Sequence, residues 1–287
     1  MAVESFLSDI TGSFSQGAGK NPTVAIMEAG YAAAGMDVRY LNCEVAPAQL
    51  ADAVSGAIAM GWLGFNCSLP HKEAILDHLD SVARSAELIG AVNTVVIKDG
   101  HLTGENTDGQ GFLEALRTLT DPRGARAVIF GAGGAARAIA VELALAGASS
   151  ITIVNRTADR GQALADHIDS QTDAECSFSP WTPGYRIPGE ANLIVNATSV
   201  GFVPQDKDTL DVDFSTFTPG TIVADVVPNP PMTRWLVAAE EAGCIPLTGL
   251  GMLVNQALVN AKLWTSEALD AKVMHSALEK ALGITEG

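Results

Sequence analysis

Ala127-Val128-Ile129-Phe130-Gly131-Ala132-Gly133-Gly134-Ala135-Ala136 decides how this 287-residue chain is read. Four apolar residues in succession are the pattern of a short strand buried on both faces. Gly131 lets the chain turn tightly off that strand, Gly133 lets backbone approach a pyrophosphate, and small Ala136 lets the next helix sit close to the sheet. The alanine-rich run Gly133–Ala146 continues as that helix and Gly147 closes it. Its N-terminus, at Gly133, Gly134 and Ala135, offers unpaired N–H groups to an anion. Ile151–Val154 reads as the next strand, and Asn192–Asn196 and Thr221–Val226 as further ones. The result is a βαβ series with right-handed crossovers.

The end of the second strand discriminates between dinucleotides. NAD sites place an acid there for the ribose 2′-hydroxyl. This chain reads Val154-Asn155-Arg156-Thr157, then Arg160, with no acid before Asp159. Arg156 is suited to pair with a 2′-phosphate and to stack on adenine, so NADP is favoured. The alternative for Arg156 is a solvated residue at a helix start.

Outward from this centre, Leu7–Gly12, Val38–Cys43 and Trp62–Asn66 read as strands. They alternate with helical Pro22–Ala34 and Pro47–Met60, whose prolines sit where a first helical turn tolerates them. The order β-α-β-α-β predicts an α/β layer with a largely parallel sheet. Breaks fall at Asp121–Gly124 and near Thr248–Gly251. Met252–Leu282 reads as helical and able to fold back on the first domain. Pro204–Gly220, polar and rich in Asp, reads as a surface loop beside a site.

Composition narrows the function classes. With 17 Lys plus Arg against 33 Asp plus Glu, the net charge is −16. Such a surface repels phosphate backbones, which argues against a general nucleic-acid binder. Cys43, Cys67, Cys176 and Cys244 show no C-x-x-C spacing, and the five histidines fit no ligand pattern, so neither a metal site nor a disulfide framework is expected. No basic residue precedes Lys20, so the charged start of a signal peptide is lacking. The longest uncharged run, Ala242–Ala261, contains Pro246 and several polar amides and reads as a turn plus a buried helix rather than a membrane span. The expectation is a cytoplasmic monomer or homodimer acting on a small molecule, without nucleic-acid or membrane partners.

Three polar stretches carry chemistry: Asn66-Cys67-Ser68-Leu69-Pro70-His71-Lys72, Gly90-Ala91-Val92-Asn93-Thr94 and Gly104-Glu105-Asn106-Thr107-Asp108-Gly109. The first follows a strand, where ligands bind in open α/β sheets. Alcohol–ketone interconversion needs a proton donor or acceptor beside the hydride path. A lysine passes that proton or, staying charged, stabilises a developing alkoxide. On residue types alone, Lys72 and Asp108 read equally well as a simple salt bridge. His71 reads as a solvated residue at a helix start, and Cys67 as a small buried filler.

These stretches, together with the Gly131 turn, Asn155–Thr157, Asn196-Ala197-Thr198, Gly251-Met252-Leu253 with Gln256, and Trp264-Thr265, stand in an order that resembles the shikimate dehydrogenases over nearly the whole chain. The resemblance implies an α/β fold. It has an N-terminal α/β substrate domain (1–113, completed by 254–287) and a Rossmann NADP domain (114–253), with a cleft between them. It implies Lys72 and Asp108 as the catalytic pair. Asn66, Ser68, Asn93 and Gln256 become substrate ligands, with Lys20 and Asn21 as further candidates. Gly131, Gly133, Gly134, Ala135, Asn155, Arg156, Thr157, Arg160, Thr198 and Met252 become the NADP site. The implied reaction is reversible hydride transfer between NADP(H) and a ring alcohol or ketone, shikimate and 3-dehydroshikimate by family. A reading from another class, a non-catalytic NADP or ligand sensor, is disfavoured because Lys72 and Asp108 are both present.

Two departures fall on one substrate group. The family's first βα turn usually reads Ser-x-Ser-Pro, and its hydroxyls bind the substrate carboxylate. Here the matching stretch is Gly19-Lys20-Asn21-Pro22. A carboxylate-binding Tyr is usual where this chain has Pro228. Two readings stay open: compensation by the loop containing Ser13 and Ser15, or a substrate such as quinate or a related cyclic polyol that lacks the usual carboxylate contacts.

Overall fold

A computed structural model describes residues 6–202 and 206–284. The chain divides into two compact units, residues 1–107 with 256–287, and residues 108–255.

The first unit holds β1 (Asp9–Ser15), α1 (Thr23–Ala33), β2 (Val38–Glu44), α2 (Leu50–Ala59), β3 (Gly64–Cys67), α3 (His71–Ala74), β4 (Ser81–Val82), α4 (Arg84–Ile89), β5 (Thr94–Lys98) and β6 (His101–Glu105). Its strands lie in the order β2-β1-β3-β5-β6-β4. β1 runs parallel to β2 and β3, but β5 is antiparallel to β3 and β6. The sheet is therefore mixed, which corrects the expectation of a largely parallel one. The cause is a tight hairpin: Asp99 (φ 52°) and Gly100 (φ 78°) both adopt the left-handed conformation that a two-residue hairpin turn requires. One sheet face carries Phe14 stacked on Phe65 at 4.2 Å and tilted against Trp62 at 5.7 Å. On the opposite side Gly30 of α1 lies against Leu269 and Met274 of the C-terminal segment; a Cβ on Gly30 would meet Leu269 at 2.8 Å.

Helix α5 (Thr107–Arg117) leads into the second unit. There follow β7 (Arg126–Phe130), α6 (Gly134–Leu145), β8 (Ser150–Asn155), α7 (Ala158–Gln171), β9 (Glu175–Pro180), β10 (Leu193–Asn196), β11 (Ile222–Asp225), α8 (Arg234–Glu241) and β12 (Ile245–Leu247). Helix α9 (Gly249–Thr265) returns the chain to the first unit, where α10 (Ala271–Leu282) ends it. The six strands are all parallel, in the order β12-β11-β10-β7-β8-β9. This is the doubly wound arrangement, with the strand order reversing beside β7. Phe130 and Trp235 meet edge to face at 5.9 Å in its core.

Within the segment expected to be a surface loop, residues 204–220, Pro204 and Gln205 lie outside the described residues. Beyond them, Leu210, Val212 and Phe217 are buried, and Phe217 packs on Trp235 at 5.5 Å. The polar residues separate apolar anchors, so this part is bound to the core and is not a free loop. None of the described helices is long and apolar enough to cross a membrane.

Candidate active site

Sheet pairing delivers the first unit's polar residues to the carboxyl ends of β1, β2 and β3. Asn66, the third residue of β3, is buried. Its Nδ2 donates to the Asn93 carbonyl at 3.1 Å and to Thr94 Oγ1 at 2.9 Å, and its Oδ1 accepts the Tyr40 hydroxyl at 2.7 Å. Burial pushes the Tyr40 phenol up, which keeps it a donor. Both Asn66 N–H groups are thus committed to protein.

Asn93 is held from several directions. Its backbone N–H donates to Glu105 at 3.1 Å and its carbonyl accepts the N–H of Cys67 at 2.8 Å. Its Oδ1 accepts the Thr107 backbone N–H at 2.7 Å, with the Thr94 and Thr107 hydroxyls at 3.0 and 3.2 Å. The other end of this side chain, the amide nitrogen, carries two donor hydrogens. The neighbouring Val92 N–H donates to the Lys72 carbonyl at 2.8 Å, which ties the short helix bearing Lys72 to the segment that leads into β5. Lys72 is half-buried on α3, Ser68 is half-buried just before it, and Asp108 directly follows Thr107 in the first turn of α5. Gln256 is half-buried on α9.

His71 is not solvated. It is 1% exposed, and its Nε2 lies 2.9 Å from the Val45 carbonyl. A carbonyl just past the end of β2 needs a donor, and the imidazole supplies it. Cys67 is the buried filler expected; desolvation pushes its thiol up to about 12.

The first βα turn holds residues that sequence reasoning missed. Ser13 and Ser15 belong to strand β1 and are buried, whereas they were expected in a loop. Ser13 Oγ donates to Asn42 Oδ1 at 3.0 Å and accepts Asn21 Nδ2 at 3.2 Å. Asn42 Nδ2 donates to the carbonyls of Ala18 and Asn21 at 3.1 and 2.9 Å. Asn21 Oδ1 caps the Thr23 N–H at 3.0 Å. The Glu44 carboxylate accepts the N–H groups of Gly17 and Ala18, 2.8 Å each, and these bonds hold it below the usual carboxylate range. Lys20 is exposed. Asn42 and Glu44 carry no local motif; only the pairing of β2 with β1 brings them here.

In the second unit, Gly131 (φ 114°) donates its N–H to the Val154 carbonyl at 2.8 Å, and a Cβ there would meet the Ala197 carbonyl oxygen at 2.9 Å. Gly133 caps α6, and the space that a Cβ on Gly133 or Gly134 would fill is open. Bare backbone at an open helix N-terminus fits a pyrophosphate. Arg156, Thr157 and Arg160 are exposed at the end of β8, and Asn155 Nδ2 fixes the turn through the Thr157 carbonyl at 2.9 Å. The Arg156 guanidinium lies 5.8 Å over the Trp181 ring, a cation–π support that sequence reading did not foresee. Thr198 is tied into its turn, with Oγ1 donating to Asn196 Oδ1 at 2.7 Å. Met252 is half-buried on α9. Pro228, just past β11, has neither a hydroxyl nor an N–H to give. Among the described residues, no group of three or more His, Cys, Asp or Glu is placed to hold a metal ion.

A mixed α/β unit with polar groups at its strand ends, followed by a doubly wound unit with a Gly-rich turn and exposed arginines after its second strand, is the architecture of a pyridine-nucleotide oxidoreductase. Family models agree: residues 19–95 match the shikimate dehydrogenase substrate binding domain, 114–200 shikimate / quinate 5-dehydrogenase, and 249–279 the shikimate 5′-dehydrogenase C-terminal domain. The shikimate dehydrogenase (NADP(+)) of Methanopyrus kandleri is 43% identical over 259 residues, 88% of this chain and 89% of that one. The chain belongs to the shikimate dehydrogenase family and is an NADP-dependent oxidoreductase acting on a CH–OH group. Two solved structures differ in their bearing on substrate. The ligand-free 5-ketofructose reductase of Gluconobacter sp. strain CHM43 matches with TM-score 0.94 and 53% identity, covering 96% of this chain and 99% of that one. The shikimate 5-dehydrogenase of Thermus thermophilus, in complex with NADP(H) and shikimate, matches with TM-score 0.84 and 32% identity, covering 96% and 100%.

Proposed function

We propose that this enzyme reduces the ketone of a polyol that carries no carboxylate, with 5-ketofructose the first compound to test. The observation that carries this reading is the Glu44 carboxylate, which consumes the N–H donors of Gly17 and Ala18 in the first βα turn. A substrate carboxylate there would meet a like charge, and juxtaposed like charges oppose binding. The remaining groups, Ser13, Asn21 and Asn42, are neutral and suit hydroxyls. Pro228 adds no donor. The 53% identity to a 5-ketofructose reductase supports the same conclusion.

NADP supplies or takes back the hydride when bound. Gly131, Gly133, Gly134 and Ala135 cradle its pyrophosphate, Asn155, Arg156, Thr157 and Arg160 its 2′-phosphate side, and Thr198 and Met252 its nicotinamide side. Lys72 passes the proton to the new alkoxide and Asp108 holds the same hydroxyl. Asn93 and Gln256 bind neighbouring hydroxyls, with Ser68, Lys20 and Asn21 at the rim, while Asn66 supports them from beneath. In this reading residues 1–113 and 254–287 bind substrate and residues 114–253 bind NADP. The enzyme works in the cytoplasm as a monomer or homodimer.

A second reading, shikimate itself, rests on the curated relatives of that name. A panel of ketones with NADPH separates the two. The highest kcat/KM is expected with 5-ketofructose or another carboxylate-free ketone; faster turnover of 3-dehydroshikimate overturns the proposal.

A further inference from the structure

Asn260 of α9 is fully buried among polar side chains of the first unit. Its Oδ1 lies 2.9 Å from Thr94 Oγ1 and 2.8 Å from Thr107 Oγ1. Its Nδ2 has no hydrogen-bond partner. An orphaned buried donor is costly, and the two ends of an amide are nearly isosteric.

Counting protons resolves the arrangement. Thr94 and Thr107 have one hydroxyl proton each, and both stand within reach of Asn93 Oδ1, at 3.0 and 3.2 Å. With the Asn260 amide turned end for end, its two N–H groups face the two hydroxyl oxygens. Both hydroxyl protons then go to Asn93 Oδ1, and Thr94 Oγ1 still accepts from Asn66 Nδ2 at 2.9 Å. Each of these protons then has one acceptor, and no N–H is orphaned.

We infer that Asn260 is a positioning residue: by setting the direction of the Thr94 and Thr107 hydroxyls, it locks the Asn93 amide with its donors turned to substrate. It does so one helical turn beyond Gln256, so a single helix delivers both a substrate ligand and the brace for another. Thr107 directly precedes Asp108, so the same brace fixes the first turn of α5. This inference rests on the reading of Asn93 as a substrate ligand.

The test compares Asn260→Ala, Asn93→Ala and the double variant, with NADPH and the best ketone of the panel. Asn260→Ala is expected to lower kcat/KM for the ketone about tenfold and to leave KM for NADPH within about twofold. The double variant is expected to be no worse than Asn93→Ala, because the brace has nothing left to hold. If Asn93→Ala is slow but Asn260→Ala keeps wild-type kcat/KM, the brace is refuted and the ligand reading survives. If Asn93→Ala is itself wild type, the ligand reading fails. A second variant guards against misfolding. Asn260→Asp keeps the shape and, when protonated, one donor. Its kcat/KM relative to wild type is expected to fall as pH rises and the buried carboxyl ionises. A ratio independent of pH counts against a role for the donors.

Discussion

Glu44 binds Ala18 through a backbone N–H at 2.8 Å, while its other carboxylate oxygen takes the N–H of Gly17 at the same distance. A strand-end carboxylate thereby takes both N–H groups of the turn, which in the proposed reading leaves them closed to an anionic substrate group. Its lowered pKa keeps it ionised through the neutral range. Glu44→Gln removes the charge and keeps one acceptor. The ratio of kcat/KM for 3-dehydroshikimate to that for a carboxylate-free ketone is expected to rise about fivefold. An unchanged ratio means that Glu44 does not act on specificity.

Arg156 and Trp181 form the second unit's charged corner, with guanidinium and indole 5.8 Å apart. Arg156→Ala is expected to raise KM for NADP about tenfold or more while leaving KM for NAD within about twofold, because only NADP carries the phosphate. Trp181→Ala removes the support but keeps the charge, so its effect on KM for NADP is smaller, about two- to fivefold. Equal effects of Arg156→Ala on both dinucleotides refute the assignment.

Lys72 is the proposed proton donor in ketone reduction. Lys72→Ala is expected to lower kcat about 100-fold or more, while the quench of protein fluorescence by NADPH titrates as in wild type. Full kcat on the best substrate eliminates the lysine as donor.

How much of this was legible follows from where each signal lies. The doubly wound unit is written locally: Gly131 and Gly133 stand between a four-residue apolar strand and an alanine-rich helix, and Arg156 follows one strand later. The hairpin of the first unit was also local, in Asp99-Gly100, but Thr94–Lys98 and His101–Glu105 adjoin polar stretches that read as chemistry, which hid the antiparallel pairing. The inward turn of His71 was not legible, because its partner, the Val45 carbonyl, lies just past β2, 26 residues away in sequence. Asn42, Glu44 and Asn260 belong to the same class. Each is an ordinary polar residue until sheet pairing or helix return sets it against Ser13, Ala18 or Thr94.

Asp225 gives a pH signature to the second unit. Burial raises its carboxyl to about 6, against partial relief from the Thr233 hydroxyl at 2.6 Å, the Val227 N–H at 3.0 Å and Asn196 Nδ2 at 3.1 Å. A native pKa above the unfolded value of 3.8 means that the folded state holds this proton more tightly. The resulting stabilisation is complete below pH 3.8 and is lost as pH rises through about 6. A rise of this size corresponds to about 3 kcal/mol at most. Asp225→Asn cannot ionise, so other carboxylates cancel when the two proteins are compared across a pH series. The stability of Asp225→Asn relative to wild type is expected to climb by about 2–3 kcal/mol between about pH 4 and pH 8, most of it between the unfolded value of 3.8 and the native value of about 6. Urea unfolding of both proteins in parallel measures it. Parallel curves across that range show that Asp225 ionises in the native state as easily as in the unfolded chain.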